Sequence, residues 1–581
     1  MQKMMRKIFL LGMMVMMFSG LFAQSRRPNI LWLTCEDISP TLSMYGDSTA
    51  HTPNLDKLAA EGLVFDNVFA VVAVCAPSRS SIITGMYPTS IGTMHMRTAH
   101  DVMSWGKREY SGKSNHVDIN GDTVPFYSAV IPPQVKCFTE YMREGGYYCT
   151  NNQKTDYQFA APVTAWDENN TKAEWKHAPW DMPFFSVYNH NVTHESQIWK
   201  RADKPQTVSP EVVPLPSYFP DDSIVRTDVA RNYSNIEVLD KQIGEMIKAL
   251  KRAGEYNNTI IFFFSDHGGP LPRGKRLNYD SGLRVPFIVR IPKQYRKKYG
   301  VDPSWVKNGR VDALISFVDL APTMLSIAGV KIPDYMQGRA FMGPQRVKEQ
   351  RKYIFGTGDR FDEHTDRNRV VRDHRYLYVR NYHPELPGYK DIAYRKNIPM
   401  MRDMLYLLKM GRLTTAQNYW FRLYKMPEEL YDCEKDPENV HNIIDDPSLS
   451  GKLEEMRKAM DEWLAATGDM AATPEKEMFL KMWPGGKQPV TQKPKITVKG
   501  KEITLSCKTE GASIAYLISN KDFNPDLNAG WQVYYKPLRV PRGKYLYVMA
   551  QRIGYRESAV VKKKFFRNTS TKKHSVNTII E

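Results

Sequence analysis

Two apolar runs that each stop in acidic or imidazole side chains constrain this chain more than anything else in it. The first, Pro28-Asn29-Ile30-Leu31-Trp32-Leu33-Thr34, has no polar face. A half-exposed strand would alternate, so this run suits a strand buried on both faces of a parallel sheet. It ends in Cys35-Glu36-Asp37. The second, Asn258-Thr259-Ile260-Ile261-Phe262-Phe263-Phe264-Ser265, ends in Asp266-His267-Gly268-Gly269. Open α/β sheets collect their ligands at the carboxyl edge of the strands, so the pattern predicts one shared cation there. Glu36, Asp37, Asp266 and His267 are its candidate ligands, and an oxygen-rich set favours calcium, or magnesium, over zinc. Glu36 is the longer side chain and Asp37 the firmer ligand; a solvent-exposed loop is the alternative for His267.

A second feature lies between these runs. Ala73-Val74-Cys75-Ala76-Pro77-Ser78-Arg79 is followed by Thr84-Gly85. Proline near a helix start and glycine just past its end predict a short helix, with Arg79 one turn beyond Cys75 on the same face. A buried structural cysteine is the plain reading. The run Cys-x-Pro-Ser-Arg, then Thr-Gly, resembles type I sulfatases of the alkaline phosphatase superfamily. That resemblance implies that Cys75 is converted after translation to formylglycine, whose hydrate attacks sulfur and regenerates the aldehyde. It implies that Cys75, with Glu36, Asp37, Asp266 and His267, ligates the metal, and that Arg79 orients residue 75. Lys154 and Lys275 would grip sulfate oxygens, and His194 would protonate the leaving oxygen. Each of the last three follows a strand-like run in the family's order. Where many relatives read Lys-x-His, this chain has Lys154-Thr155-Asp156. Another group must take that proton, with His95 the first candidate and Asp156 the second. Arg97 in the same loop as His95, and Asp359 and Arg360 in the segment 358–363, are expected at the pocket rim as substrate contacts.

The fold expected is α/β, a mixed, largely parallel sheet between helix layers, as in alkaline phosphatases and sulfatases. A smaller α+β carboxyl-terminal subdomain and an appended small β-sandwich complete it. Residues 26–350 alternate apolar strands with helical stretches, among them a helix over 228–254 with Ile236, Leu239, Ile243 and Leu250 on one face. They form the catalytic domain, and 314–316 are expected to continue its sheet. Residues 351–480 carry a hairpin over 368–380 and the segment Glu429-Leu430-Tyr431-Asp432, then a helix near 451–466. A Pro/Gly/Lys linker precedes short strands over 488–567, and 568–581 is a basic tail. Aromatics of that last module (Trp531, Tyr534, Tyr535) read as its core rather than as sugar platforms.

Residues 1–23 read as a bacterial signal peptide cleaved near Ala23, with Lys3, Arg6 and Lys7 ahead of an apolar stretch too short to span a membrane. Export to the periplasm or beyond follows, with no membrane anchor. The formal charge is +18, and a basic exported protein attracts polyanions. Export and the absence of a recognisable motif exclude nucleic acid as partner; sulfated oligosaccharides fit both the charge and the resemblance. A formylglycine-generating maturase is the other partner implied. The texture is similar to that of N-sulfoglucosamine sulfohydrolase-like glycosaminoglycan sulfatases. Two rivals stay open at this level: a phosphomonoester or phosphonate hydrolase of the same superfamily, and a glycan-binding protein whose site has lapsed. If Cys75 is converted, five cysteines are left, an odd count that cannot all pair.

Overall fold

The computed structural model of the protein describes residues 27–565; the leader expected over 1–23 and the tail expected over 568–581 lie outside them. Nine strands form the central sheet: β1 (Asn29–Cys35), β2 (Leu63–Phe65), β3 (Tyr148–Asn152), β4 (Glu168–Asn169), β5 (Phe184–His190), β6 (Thr259–Ser265), β7 (Phe287–Arg290), β8 (Val306–Lys307) and β9 (Arg310–Val311). Their spatial order is β4-β3-β5-β1-β6-β7-β2-β9-β8. Every pairing from β4 to β6 is parallel, as is β2 with β9. Strand β7 runs against both its neighbours and β8 against β9. The sheet is therefore mixed and largely parallel.

The continuous hydrophobicity of β1 has a direct structural cause. Ile30 and Trp32 enter the core on one face, while Leu31, Leu33 and Cys35 enter the core on the other; none is more than 3% exposed. Helix α1 (Cys75–Thr84) covers the first face through Ile82 and Ile83, together with the helix Leu320–Ala328. Helix α2 (Ser223–Arg252) covers the second with Val229, Ile236, Leu239, Ile243 and Leu250. Each such side chain contributes about 1.5–3 kcal/mol when fully buried, which is what selects the interior of the sheet for an all-apolar strand. Helix α2 also fixes its neighbour: Asp240 accepts from the backbone N–H groups of Asn54 (3.0 Å) and Leu55 (2.8 Å), capping the helix Pro53–Glu61.

Register decides where the chemistry goes. Cys35, the last residue of β1, lies opposite His190 of β5 and Ser265 of β6. The segments that leave these three strands, beginning at Glu36, Asn191 and Asp266, emerge side by side at one edge.

One expectation about architecture is corrected and another is extended. Ile315–Ser316 does not continue the large sheet but pairs with Val68–Phe69 in a separate two-stranded ribbon. The chain turns immediately afterwards, where the Asp319 carboxylate accepts from the Ser316 N–H at 3.0 Å and starts the next helical segment. The carboxyl-terminal β module, expected as an appendage, shares the main core. Its ribbon Lys495–Lys499/Glu502–Ser506 and its four-stranded sheet are accompanied by Trp531, 2% exposed and packed within the principal hydrophobic cluster. Arg143 donates to the Trp531 carbonyl (2.6 Å), and the Trp105 indole N–H donates to Asn528 (3.0 Å). Between these regions, the strands Ile354–Gly358, Asn368–Arg372, Tyr376–Asn381 and Glu428–Asp432 form an antiparallel sheet, with Phe355 stacked on Trp463 of the helix Ser450–Thr467. All six cysteines are free. Among the described residues no helix is long and apolar enough to cross a membrane.

Candidate active site

Helix α1 begins at Cys75 itself and ends at Gly85, whose φ of 71° is the left-handed cap that glycine adopts without strain. Cys75 is buried, and its sulfur sits among ligands from both apolar strands. Sγ, a Glu36 oxygen and a His194 ring nitrogen lie within 4.8 Å of one another, and so do Sγ, an Asp266 oxygen and a His267 ring nitrogen. The structure thus brings together all the carboxylates at the two strand ends.

Close packing of backbone on backbone holds the second of these ends. A Cβ on Gly268 would lie 2.3 Å from the Ser281 carbonyl oxygen, which explains the glycine following Asp266-His267. The returning loop places Lys275, whose Nζ donates to both Asp37 oxygens (3.0 and 2.8 Å). Lys154, just past β3, donates to Glu36 at 2.8 Å. Arg79 reaches Asp266 through Nε (3.0 Å) and Asn189 through Nη1 (2.8 Å). His194 approaches Glu36 through Nε2 (3.8 Å) while its Nδ1 is 2.9 Å from the Ser196 hydroxyl. Each carboxylate therefore faces its own cation in a water-poor cavity.

The charges shift one another accordingly. Burial pushes the Cys75 thiol up, but Lys154, Lys275 and hydrogen bonds from His194 and His267 outweigh it and hold the thiol well below its ordinary value. Burial also opposes the charges on Lys154 and Lys275; Cys75 with Glu36, and Asp37 with Cys75, raise them nonetheless. Burial works against the imidazolium of His267, yet Asp266 and Asp37 raise it to about 10. Its Nε2 lies 3.0 Å from Asp37 Oδ1, and its Nδ1 lies 3.0 Å from the Gly268 carbonyl oxygen. A buried imidazole beside three convergent carboxylates, Glu36, Asp37 and Asp266, is a donor set that fits a hard divalent cation.

Other sequence-expected residues fall elsewhere. Arg97 lies at the cavity mouth, its side chain 36% exposed and Nη2 3.8 Å from Asp156. His95 does not face the sulfur: its Nδ1 is turned toward the Arg360 N–H (3.4 Å) and Glu475 (3.8 Å), and burial holds the imidazole down at about 4. Asp156 takes the position expected of His95. Its Oδ2 is 3.6 Å from Lys154 Nζ, is buried without a hydrogen bond, and feels the charge of Cys75. Burial raises its carboxyl above the ordinary value.

The rim assignment of Asp359 and Arg360 is corrected. Arg360 is fully buried, paired with Glu475 through Nε and Nη2 and donating to the carbonyls of Met96 (2.8 Å) and Asp362 (2.7 Å). Asp359, 1% exposed, is paired with Arg369 at 2.9 Å. Neither can reach a sugar, because each is held inside the protein by a buried partner, Arg369 from the adjacent strand for Asp359 and the distant Glu475 for Arg360.

Residues that the sequence reading missed complete the cavity wall. Glu195 accepts from Arg276 at 2.8 Å on both oxygens, donates its own N–H to Asp37 (2.8 Å) and lies 3.5 Å from Lys275. Arg276 also donates to Asp362 at 2.7 Å. The adjacency of Glu195 to His194 was the one available signal; Arg276 and Asp362 are joined only by the fold.

Residues 28–330 match the Sulfatase family. The chain is 43% identical to an ulvan-active sulfatase of Formosa agariphila, over 92% of this chain and 91% of that protein. It is 24% identical to N-sulphoglucosamine sulphohydrolase of Homo sapiens, over 77% and 91% respectively. Among solved structures, a sulfatase from Bacteroides fragilis superposes with a TM-score of 0.54 at 19% identity, covering 77% of this chain and 98% of that one. At that identity the structure speaks for the fold alone.

Proposed function

The chain belongs to the sulfatase family, and from that premise we propose that it removes sulfate groups from a sulfated carbohydrate by means of a formylglycine derived from Cys75. The observation that carries this reading is the convergence on Cys75 of two lysines, two histidines and the carboxylates of two separate strands. The hydrated aldehyde would supply an oxygen nucleophile in place of sulfur. The chain's own residues then have separable tasks. Lys154 and Lys275, fixed by Glu36 and Asp37, present charge to the sulfate oxygens before any reaction begins, which is where preorganised electrostatics lower a barrier. Arg79, held between Asp266 and Asn189, fixes the helix turn that carries residue 75. His194, with Nε2 beside Glu36 on the Cys75 side, would donate to the leaving oxygen. Asp156, with a free carboxylate oxygen, is placed to accept one. Glu36, Asp37, Asp266 and His267 would hold the cation, calcium or else magnesium, which supplies charge stabilisation at the sulfate when bound.

The ulvan activity of the Formosa relative supports an anionic polysaccharide fragment as substrate, and the +18 charge agrees with it. Export through the leader and maturation by a formylglycine-generating enzyme belong to the same proposal. The test is desulfation, read by mass spectrometry, of ulvan oligosaccharides and of sulfated glucosamines and uronates, alongside aryl phosphate. Release of sulfate from at least one saccharide is expected; a strong preference for the phosphate ester would overturn the assignment.

A further inference from the structure

The catalytic cavity opens beside an aromatic side chain that no motif singles out. Tyr394 is 40% exposed. Its ring lies 5.2 Å from Trp199, edge to face, and 6.5 Å from His194. Its hydroxyl feels the charges of Glu195, Lys275 and Arg97. Tyr394 therefore stands at the same mouth as Arg97 and next to the histidine proposed to serve the leaving group. The backbone on either side is fastened. The Ala393 N–H donates to Glu363 (2.7 Å), and buried Arg395 donates to the Lys275 carbonyl (3.0 Å) with its guanidinium 5.2 Å from the Trp420 ring. A large aromatic face held rigidly at the rim, with Trp199 setting its tilt, is a preorganised surface for an apolar ring face.

Arg97 is the charged group at this mouth, close to Asp156 and to Cys75. Its φ of 58° is a left-handed conformation for a non-glycine residue, a strain that persists only where the surroundings impose it. Its Nε is buried and without a hydrogen-bond partner, while the rest of the head is partly open. A guanidinium so placed has donors left for a second anionic group on the ligand.

We propose that Tyr394 is the specificity-determining wall of the leaving-group subsite: a pyranose ring stacks on it while Arg97 engages a further anionic substituent of the saccharide. This inference rests on the sulfated-carbohydrate reading above and narrows it to rings carrying a second charge. Trp199 and Arg395 act as positioning residues for that wall.

The experiment uses the full-length mature enzyme and three variants, Tyr394→Ala, Tyr394→Phe and Tyr394→Trp. The probes are ulvan disaccharides bearing a uronate, D-glucosamine 2-N,6-O-disulfate, a monosulfated neutral monosaccharide, and inorganic sulfate as competitive inhibitor. Tyr394→Ala is expected to raise KM, or the dissociation constant measured in a Cys75→Ala background, at least tenfold for the best saccharide. The Phe and Trp variants should stay within threefold of the parent, and the inhibition constant of inorganic sulfate should change far less than saccharide affinity. Arg97→Met should narrow the preference for the doubly charged probe over the neutral one. Comparison of the uronate with the disulfate identifies which anion Arg97 meets. Unchanged saccharide affinity in Tyr394→Ala, or equal losses for saccharide and inorganic sulfate, would overturn the inference while leaving the sulfatase reading intact. Failure of the unaltered, matured enzyme on every saccharide would overturn both.

Discussion

Two buried polar clusters lie in this protein, built from the same residue types and arranged to opposite ends. Around Cys75, Glu36, Asp37 and Asp266 face Lys154, Lys275, Arg79, His194 and His267. Around Arg360, Glu475, Asp359, Asp469, Arg369, His95 and His116 face one another. The second cluster closes on Arg360, which has a partner at Nε and at both terminal nitrogens, while its Glu475 also accepts from the Tyr127 hydroxyl at 3.1 Å; Asp359 Oδ2, His95 Nε2 and His116 Nδ1 are left there without hydrogen bonds. The first opens on a nucleophile, Cys75, with Asp156 Oδ2 free of hydrogen bonds beside it. The difference teaches that burial of charge does not itself mark a catalytic site. What marks it is the convergence of opposite charges on a nucleophile, since unpartnered polar atoms occur in both clusters.

The comparison yields a series of expected outcomes. Cys75→Ala should lower turnover at least a thousandfold, on the scale of losing a covalent nucleophile, with ligand binding still measurable by calorimetry. Turnover surviving in that variant would dissolve the distinction between the clusters. Chelation should inactivate by a comparable factor, with recovery on adding calcium; full activity in chelator would remove the cation from the account. In the closed cluster, Arg360→Met leaves Glu475 buried and unpaired. It should cost about 3–5 kcal/mol of stability in denaturant unfolding, with kcat of the folded fraction within about threefold. A kcat loss in the hundreds would mean that Arg360 serves the reaction after all.

His95 gives the next effect in size. Burial holds its imidazole at about 4 in the fold, against about 6.5 in an unfolded chain. The unfolded state therefore binds more protons between these values, so unfolding free energy rises with pH. The stability is fully present above about 6.5 and is lost as pH falls toward 4, by about 1–3 kcal/mol. His95→Gln should flatten that slope in denaturant midpoints measured across the window; an unchanged slope would place the proton elsewhere. The smallest effect belongs to neither cluster. Asp222 caps α2 by accepting from the Ile224 (2.9 Å) and Val225 (3.0 Å) N–H groups, and Asp222→Ala should cost about 1 kcal/mol with kinetics unchanged.

The open cluster was largely legible in the amino-acid sequence and the closed one was not. Asp37 and Asp266 could be placed because each ends an apolar run whose burial fixes its direction. Cys75 and Arg79 lie one helical turn apart, and Lys154, His194 and Lys275 follow strands in a family order. For Asp359 and Arg360, a charged pair in a loop reads the same whether it faces solvent or a partner more than a hundred residues away, as Arg360 faces Glu475. The placement of His95 beside Arg360 and Glu475 was hidden for a related reason, since it lies in a loop whose path no periodicity encodes. Arg276, Asp362 and Tyr394 join the site only through tertiary proximity. Likewise Trp531 read as the core of its own module, and nothing in its neighbours told of the Arg143 bond that ties it to the main body.

The account turns on what residue 75 carries in the working enzyme. Protein produced with and without a formylglycine-generating maturase should be digested, and the peptide spanning Cys75 analysed by mass and by capture with a hydrazine reagent. The account predicts an aldehyde at this position, in a fraction that tracks sulfate release preparation by preparation. Fully active enzyme whose residue 75 is an intact thiol would contradict it.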